Sequence, residues 1–542
     1  MSWAHTYDPA GGIWLSAGAA ALPFAILSWQ LLIRRTKGHI AALSSFAGAF
    51  ALATLLWKMP VTLALSASVY GAAFAAFPIL WIVLTSIWIY EMTVDAGQFS
   101  IVRDSISALT NDRRIQAVVI AFAFGALLES TAGYGSPVAI GAAMLIGLGF
   151  PPVKAAVLCL VANTVPVAYA GLGLPALVAG QVSELDPFLV SRVIGRQLPL
   201  LALFVPLWIS ILVCGWKRSW EIWPVLLAGG LGSALPTFAF ANWHGYMLPG
   251  LMGAVGSLVS IALTLCFWKP KQAYRFAGDS PTQTVLHPRN IVFRAWMPWI
   301  LLTVLVALSS LGPVRAALNA VQYARFSWPV LDQAILKTIP LVPVPEALSA
   351  EFTLNLISSP GSIIFLTGLL LPWIMPGYSG KRAMGAFLRT VCRMRYSILT
   401  ILLILAMAQV MNFSGMSYTL GLIMTHTGTI FAFFAPILGW IGVFLTGSDT
   451  SSNALFCGMQ RSAAQSVGID PYLAVAANTT GGVTAKMLSP QSIAVAAGAV
   501  GLPPGQEGTL MRRTIGHSLL MLAIICLLTW LQSTYLSFML HS

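Results

Sequence analysis

The chain has 542 residues, of which 58% are hydrophobic and 8% charged, with a mean hydropathy of +0.83 and a formal net charge of +13. Globular domains carry about 25% charged residues, so this composition excludes a water-soluble chain, and no stretch is long enough to be a basic nucleic-acid-binding domain. Apolar runs of about 20 residues recur without strict apolar–polar alternation, which selects membrane-spanning helices over a β-barrel. The positive balance is read as the positive-inside bias of the loops. The six cysteines are scattered, mostly within apolar segments, and form no C-x-x-C pair; they read as small apolar residues, with no disulfide or metal framework. No basic region precedes the first apolar run, so no cleavable signal peptide is expected.

In chain order, spans are predicted at 13–33, 40–57 and 73–92, then an amphipathic surface segment at 101–114. Arg34, Arg35 and Lys37 place the first loop inside and the N-terminus outside. The stretch 115–150 differs. Its apolar arms, 115–128 and 137–150, are 14 residues each, too short at about 1.5 Å per residue to cross a core of about 30 Å. Between them lies Glu129-Ser130-Thr131-Ala132-Gly133-Tyr134-Gly135-Ser136, and the whole is predicted to be a re-entrant hairpin entering from the inside. The span 153–180 follows, broken at 163–166 and 171–175, and 198–213 returns inside. Spans near 223–241 and 247–268 lead to a basic inner loop, 269–294.

The second half repeats the plan. Spans at 296–311, 363–374 and 397–410 surround a long outer segment, 312–360, and an interfacial stretch, 414–428. The polar run Thr446-Gly447-Ser448-Asp449-Thr450-Ser451-Ser452-Asn453 sits between short arms, 431–445 and 454–466, as a second hairpin entering from the outside. The span 472–500 is predicted to break at 478–482 and again at 488–492, and 515–536 ends the chain outside. Ala162-Asn163-Thr164 recurs as Ala477-Asn478-Thr479 at an offset of 315, the offset that also relates Pro175 to Pro490, and Gly125 and Leu128 match Gly442 and Leu445 at 317. Each copy has five full crossings, an odd number, so the second copy is inverted; such repeats mark secondary transporters with a site near the midplane. The expected fold is an all-α polytopic membrane protein of about 12 full spans: an inverted-repeat secondary transporter with two re-entrant hairpins (115–150 and 431–466) and two broken helices (153–180 and 472–500). The division is 1–218 for the first repeat, 219–268 for two linker spans, 269–294 for the inner loop and 295–542 for the second repeat.

The stretches Gly125–Ile140 (GALLESTAGYGSPVAI), Leu438–Phe456 (LGWIGVFLTGSDTSSNALF) and Ala476–Ala494 (AANTTGGVTAKMLSPQSIA), with Tyr7-Asp8-Pro9-Ala10-Gly11, Val178-Ala179-Gly180-Gln181 and Gly195-Arg196-Gln197-Leu198-Pro199, resemble the L-lactate permease family. The resemblance runs from near residue 7 to the last span, and is weaker in 269–294 and 312–360. It implies proton-coupled uptake of L-lactate and related 2-hydroxymonocarboxylates such as glycolate and D-lactate, with the proton as coupling ion, no cofactor and no enzymatic activity. It also implies a multi-pass protein of the bacterial inner membrane, in which the basic loops put both termini on the periplasmic side. The alternative is a sodium-coupled carrier of another small carboxylate.

A small hydroxy acid leaving water needs hydrogen-bond donors, and half-helix N-termini supply both N–H groups and a positive dipole end. The breaks at Asn163 and Asn478 and the hairpin tips are expected to present them. The expected tip residues are Ser130, Thr131, Gly133, Gly135, Ser448, Thr450, Ser451 and Ser452. Asn163, Thr164, Asn478, Thr479, Ser489 and Gln491 add side-chain donors and acceptors, or else satisfy freed backbone groups. Tyr134 either contacts the ligand or anchors the tip. Lys486 stands alone as a base in the second broken segment, as a counter-ion for the substrate carboxylate, a partner of Asp449 or Glu129, or a snorkelling side chain. Glu129 and Asp449 are one acid per hairpin. Buried carboxyls hold protons near neutral pH, which proton coupling needs. Asp449 also suits a helix cap; Glu129 does not, and is the stronger proton candidate.

Overall fold

The computed structural model describes residues 3–34, 36–131, 136–276, 286–340, 344–502 and 507–541. A short strand, β1 (Trp3–Ala4), precedes α1 (Ile13–Ser28) and α2 (Gly38–Leu55). Next come α3 (Val61–Phe74) and α4 (Trp81–Asp95), joined through a kink at Phe77–Pro78, and the surface helix α5 (Gln98–Ser107). The segments α6 (Arg113–Ala117) and α7 (Gly125–Thr131) are continuous through a wide helical turn at Val118–Phe124. They face α8 (Ser136–Gly147), and α9 (Pro152–Ala162) and α10 (Ala170–Val182) follow. The first half closes with α11 (Pro187–Cys214), the short α12 (Trp216–Ser219), α13 (Trp223–Trp243) and α14 (Pro249–Phe267).

The second half opens with α15 (Arg289–Ser310) and α16 (Gly312–Val321). Four strands follow: β2 (Ala324–Ser327), β3 (Ile335–Lys337), β4 (Glu346–Ala347) and β5 (Glu351–Leu354). The remaining helices are α17 (Pro360–Ile374), α18 (Gly380–Ser414), α19 (Met416–Met424), α20 (Phe431–Thr446), α21 (Asp449–Val467), α22 (Pro471–Ala485), α23 (Pro490–Ala499), α24 (Glu507–Thr534) and α25 (Phe538–His541).

Among the described residues, twelve helices are long and apolar enough to cross a membrane. The number matches the sequence expectation, but the membership differs. Arg113–Thr131 and His426–Thr446, expected as short hairpin arms, are 19 and 21 residues long and count among the twelve, whereas Pro360–Ile374, expected as a full span, is too short to do so. Burial separates two groups. Arg113–Thr131 is wholly buried and Val165–Val182 is 89% buried, while only 28% of Ile13–Leu31 and of Gly38–Leu55 is buried. The peripheral helices present Leu55, Phe267 and Trp373 outward, as a lipid-facing shell does, because hydrocarbon solvates apolar side chains as well as a protein core would.

Two small sheets form a cap the sequence did not anticipate. In one, β3 lies between β1 (parallel) and β4 (antiparallel); in the other, β2 and β5 run antiparallel with Phe326 opposite Phe352. Backbone that leaves the helices must pair elsewhere, and segment 312–360 does so within itself and with the N-terminal strand. His5 Nε2 bonds the Phe413 carbonyl at 2.9 Å, which seats that strand on the end of α18. At the opposite end a buried Arg114 pairs with Asp112 and Glu221, both at 2.7 Å, and bonds the Arg218 carbonyl, joining the start of α6 to the segment after α11.

The two broken helices do not break alike. In the first, α9 stops at Asn163, and Gly171, Leu172 and Gly173 take left-handed conformations ahead of Pro175. In the second, α22 runs unbroken through Asn478, Thr479 and Gly482, and the interruption comes at Lys486–Leu488 and Ser489, ahead of Pro490. The break expected at 478–482 is therefore corrected. Its counterpart in the first copy contains Pro166, which removes a helical N–H and clashes with the preceding turn. At the same offset of 315 the second copy has Gly481, which costs helix propensity without forbidding the helix. The paired positions before Pro175 and Pro490 are interrupted in both copies, as expected.

Candidate functional site

The hairpin between α20 and α21 is tighter than its polar sequence suggests. Gly447 closes α20 at φ +70°, Ser448 is extended, and helix resumes at Asp449. The turn is thus Gly447–Ser448, and Thr450, Ser451 and Ser452 belong to the first turns of α21 rather than to a tip. The helix cap is Ser448, whose Oγ accepts from the Ser451 N–H at 3.3 Å; the expectation that Asp449 caps the helix is corrected. In the other hairpin Ser130 and Thr131 end α7, with Thr131 Oγ1 bonded to the Leu127 carbonyl at 2.7 Å. Tyr134, Gly133 and Gly135 lie outside the described residues.

Freed from capping, Asp449 is buried with neither carboxyl oxygen hydrogen-bonded. It faces Gly482 of α22, where a Cβ would stand 2.5 Å from Oδ1, so only glycine leaves room for the carboxyl. Glu129 is equally buried, and its Oε2 has no hydrogen-bond partner. Beside it lies the Asn163 amide, which acts on the Glu129 carboxyl, and the hydroxyl of Ser130 is buried without a partner among the described residues. Lys486 sits at the break between α22 and α23 and donates from Nζ to the Gly447 carbonyl at 2.6 Å. It interacts electrostatically with both Glu129 and Asp449, yet among the described residues it forms no ion pair within 4 Å with either. The sequence left open whether Lys486 pairs with an acid; its direct partner is instead the hairpin turn.

These three ionisable side chains line one cavity of about 1200 Å³, together with Gly171 and Pro175 of α10 and Ser448, Thr450 and Ser451 of the second hairpin. Its more exposed lining includes Gln491, Lys37 and Tyr396, with Glu507 and His39 partly exposed. Gln491 and Lys486 therefore join Glu129 and Asp449 at the cavity. The other polar residues expected at the site pack around it. Asn478 Nδ2 and Thr479 Oγ1 donate to Asn453 Oδ1 at 2.9 and 3.2 Å, and Gln460 Nε2 bonds Asn478 Oδ1 at 3.3 Å. Ser452 Oγ bonds the Gly439 carbonyl at 3.1 Å. Thr164 bonds the Val161 carbonyl at 2.9 Å. Ser489 caps α23, accepting from the Ser492 N–H at 3.2 Å.

Asn453 was not singled out from the sequence, although it ends the polar run. Fully buried, it also donates from Nδ2 to the Pro175 carbonyl at 3.0 Å, so it ties α21 to α10 and to α22 at once. It lies four residues after Asp449 on α21, and hence on the same helix face. That i, i+4 spacing was its one signal in the sequence.

Membrane-length helices around largely buried inner ones, interrupted backbone among these, and ionisable groups facing a cavity there define a polytopic membrane transport protein. A model of the L-lactate permease family matches residues 16–536. The chain is 42% identical to the glycolate permease GlcA of Escherichia coli K12 over 100% of both chains, and 42% identical to the L-lactate permease of the same strain over 99% of both. The chain belongs to the L-lactate permease family, and it is a permease, not an enzyme. Among solved structures, the YdaH transporter of Alcanivorax borkumensis overlaps 86% of each chain at 14% identity with a TM-score of 0.46, a likeness too loose to argue from.

Proposed function

We propose that this protein carries L-lactate and related 2-hydroxymonocarboxylates, glycolate and D-lactate included, across the bacterial inner membrane in symport with protons. The carrying observation is the convergence of Lys486, Asp449 and Glu129 on one cavity, where a hairpin turn meets a helix break. A substrate carboxylate entering the cavity takes Lys486 Nζ from the Gly447 carbonyl, exchanging a neutral acceptor for a charged one and so a hydrogen bond for an ion pair. Gln491 and the N-terminal N–H groups of α21 and α23 supply further donors. A buried carboxyl favours its protonated form; Glu129 is the favoured proton carrier and Asp449 the second. The basic loops put the end with Lys37 and Arg114 inside and the strands and both termini outside, so the cavity opens inward. Alternating access then moves the hairpins and broken helices, related as an inverted repeat, against the remaining helices.

The test is labelled L-lactate uptake in proteoliposomes. Accumulation is expected to follow an imposed pH gradient and to be indifferent to sodium. Accumulation that persists without a pH gradient and requires sodium would replace proton by sodium coupling, and no movement of any 2-hydroxy acid would sink the reading altogether.

A further inference from the structure

A second cavity, of about 300 Å³, lies under the strand cap, between α3, α10, α16 and α18. The two cavities share α10: the large one reaches Pro175, and the small one is lined by Leu177 and Gln181. At 1.5 Å per residue, Pro175 and Gln181 are about 9 Å apart along the helix. Asn453, bonded to the Pro175 carbonyl, marks the partition between them.

The small cavity has the chemistry of an anion site. Gln181 Oε1 is buried without a hydrogen-bond partner, and the buried Gln409 side chain has none among the described residues. Two charged groups line it, Arg315 and Glu351. Glu351 is already neutralised by Arg325, whereas Arg315 is in no ion pair among the described residues and acts electrostatically on the Tyr246 hydroxyl. The Arg315 guanidinium, outside any ion pair among the described residues, together with the Gln181 and Gln409 amides and the Tyr246 phenol, suits a small hydroxylated monocarboxylate, a planar anion matched by the guanidinium fork.

We infer that this cavity is a second substrate site, at which a small 2-hydroxymonocarboxylate docks from the strand-bearing face before it passes the Pro175–Asn453 partition. Arg315 holds the carboxylate, and Gln181 and Gln409 hold the hydroxyl. The inference rests on the transport reading above. Its consequence is directional: a docking group on one face governs entry from that face only.

The experiment compares uptake of L-lactate by the full-length parent and Arg315→Gln in right-side-out and inside-out membrane vesicles. Loss of one rim-exposed, charge-assisted hydrogen bond is expected to raise KM from the strand-bearing face about 5- to 10-fold and to leave KM from the opposite face unchanged. The two directions share one equilibrium constant, so the opposite face registers the loss in Vmax. Arg315→Lys should recover part of the effect, and Gln181→Leu should reproduce it if Arg315→Gln does not reach the membrane. A KM unchanged at both faces, or raised equally at both, overturns the second site while leaving the transport reading standing; a parent that moves no 2-hydroxy acid overturns both.

Discussion

Lys486 Nζ donates to the carbonyl of Gly447 at 2.6 Å, so the basic residue of a broken helix is held by the turn between α20 and α21. A carbonyl is a weak partner for a buried ammonium group, and both carboxyls near it lie beyond ion-pair distance. Lys486 Nζ is therefore positioned at the cavity without being tied up in an ion pair among the described residues.

Replacing Lys486 tests this directly. Lys486→Ala is expected to lower lactate counterflow at least tenfold, because a charge-assisted bond of about 1.5–3 kcal/mol is lost at the substrate. Lys486→Arg should retain part of the activity. Counterflow near the parent level in Lys486→Ala, with the protein correctly inserted, would remove Lys486 from the substrate site.

Coupling separates from translocation in the acid variants. Glu129→Gln mimics a permanently protonated carboxyl. It should preserve counterflow, which needs no net proton movement, and abolish accumulation driven by a pH gradient. Asp449→Asn is expected to affect accumulation less. The reverse order would hand the proton to Asp449.

Gly482→Ala places a methyl 2.5 Å from Asp449 Oδ1 and 2.8 Å from Val443 Cγ2. Overpacking of this kind costs about 1–3 kcal/mol. The variant should melt several degrees lower in detergent and transport poorly, whereas Gly498→Ala, with open space around its Cβ, should match the parent in both assays.

Asn453→Ala leaves the side chains of Asn478 and Thr479 and the carbonyl of Pro175 short of a partner inside the protein. A loss of about 2–3 kcal/mol is expected, read as a lowered melting temperature. Asn453→Asp should fall between the two, since its carboxyl keeps the acceptor and loses the amide donor.

The N-terminal strand carries a pH dependence of its own. Burial lowers the pKa of His5 from 6.5 to about 4, so the docked strand holds a neutral imidazole. An undocked His5 binds its proton more readily, so docking is fully stable above pH 6.5 and weakens as pH falls toward 4, by up to about 3 kcal/mol in total. Hydrogen exchange of residues 3–7 should accelerate across that window, and His5→Gln should flatten the change.

Sequence alone determined the membrane class, the central place of the polar stretches at 129–131 and 446–453, and the interruptions ahead of Pro175 and Pro490. Length, hydropathy and proline act locally, so they can be read without knowing what a residue touches. Only the tertiary structure decided what the remaining polar residues do. Asn478 and Thr479 stay helical because Asn453 and Gln460, distant in the chain, satisfy their side chains, and because Gly481 stands where the first copy has Pro166. Asp449 is released from capping because Ser448 takes that place, and it is buried because Gly482 makes room for it. A hydroxyl or amide in a polar run can cap a helix, bridge two helices or face a ligand at similar local cost, and the choice is made by the partner that packing brings within hydrogen-bond reach.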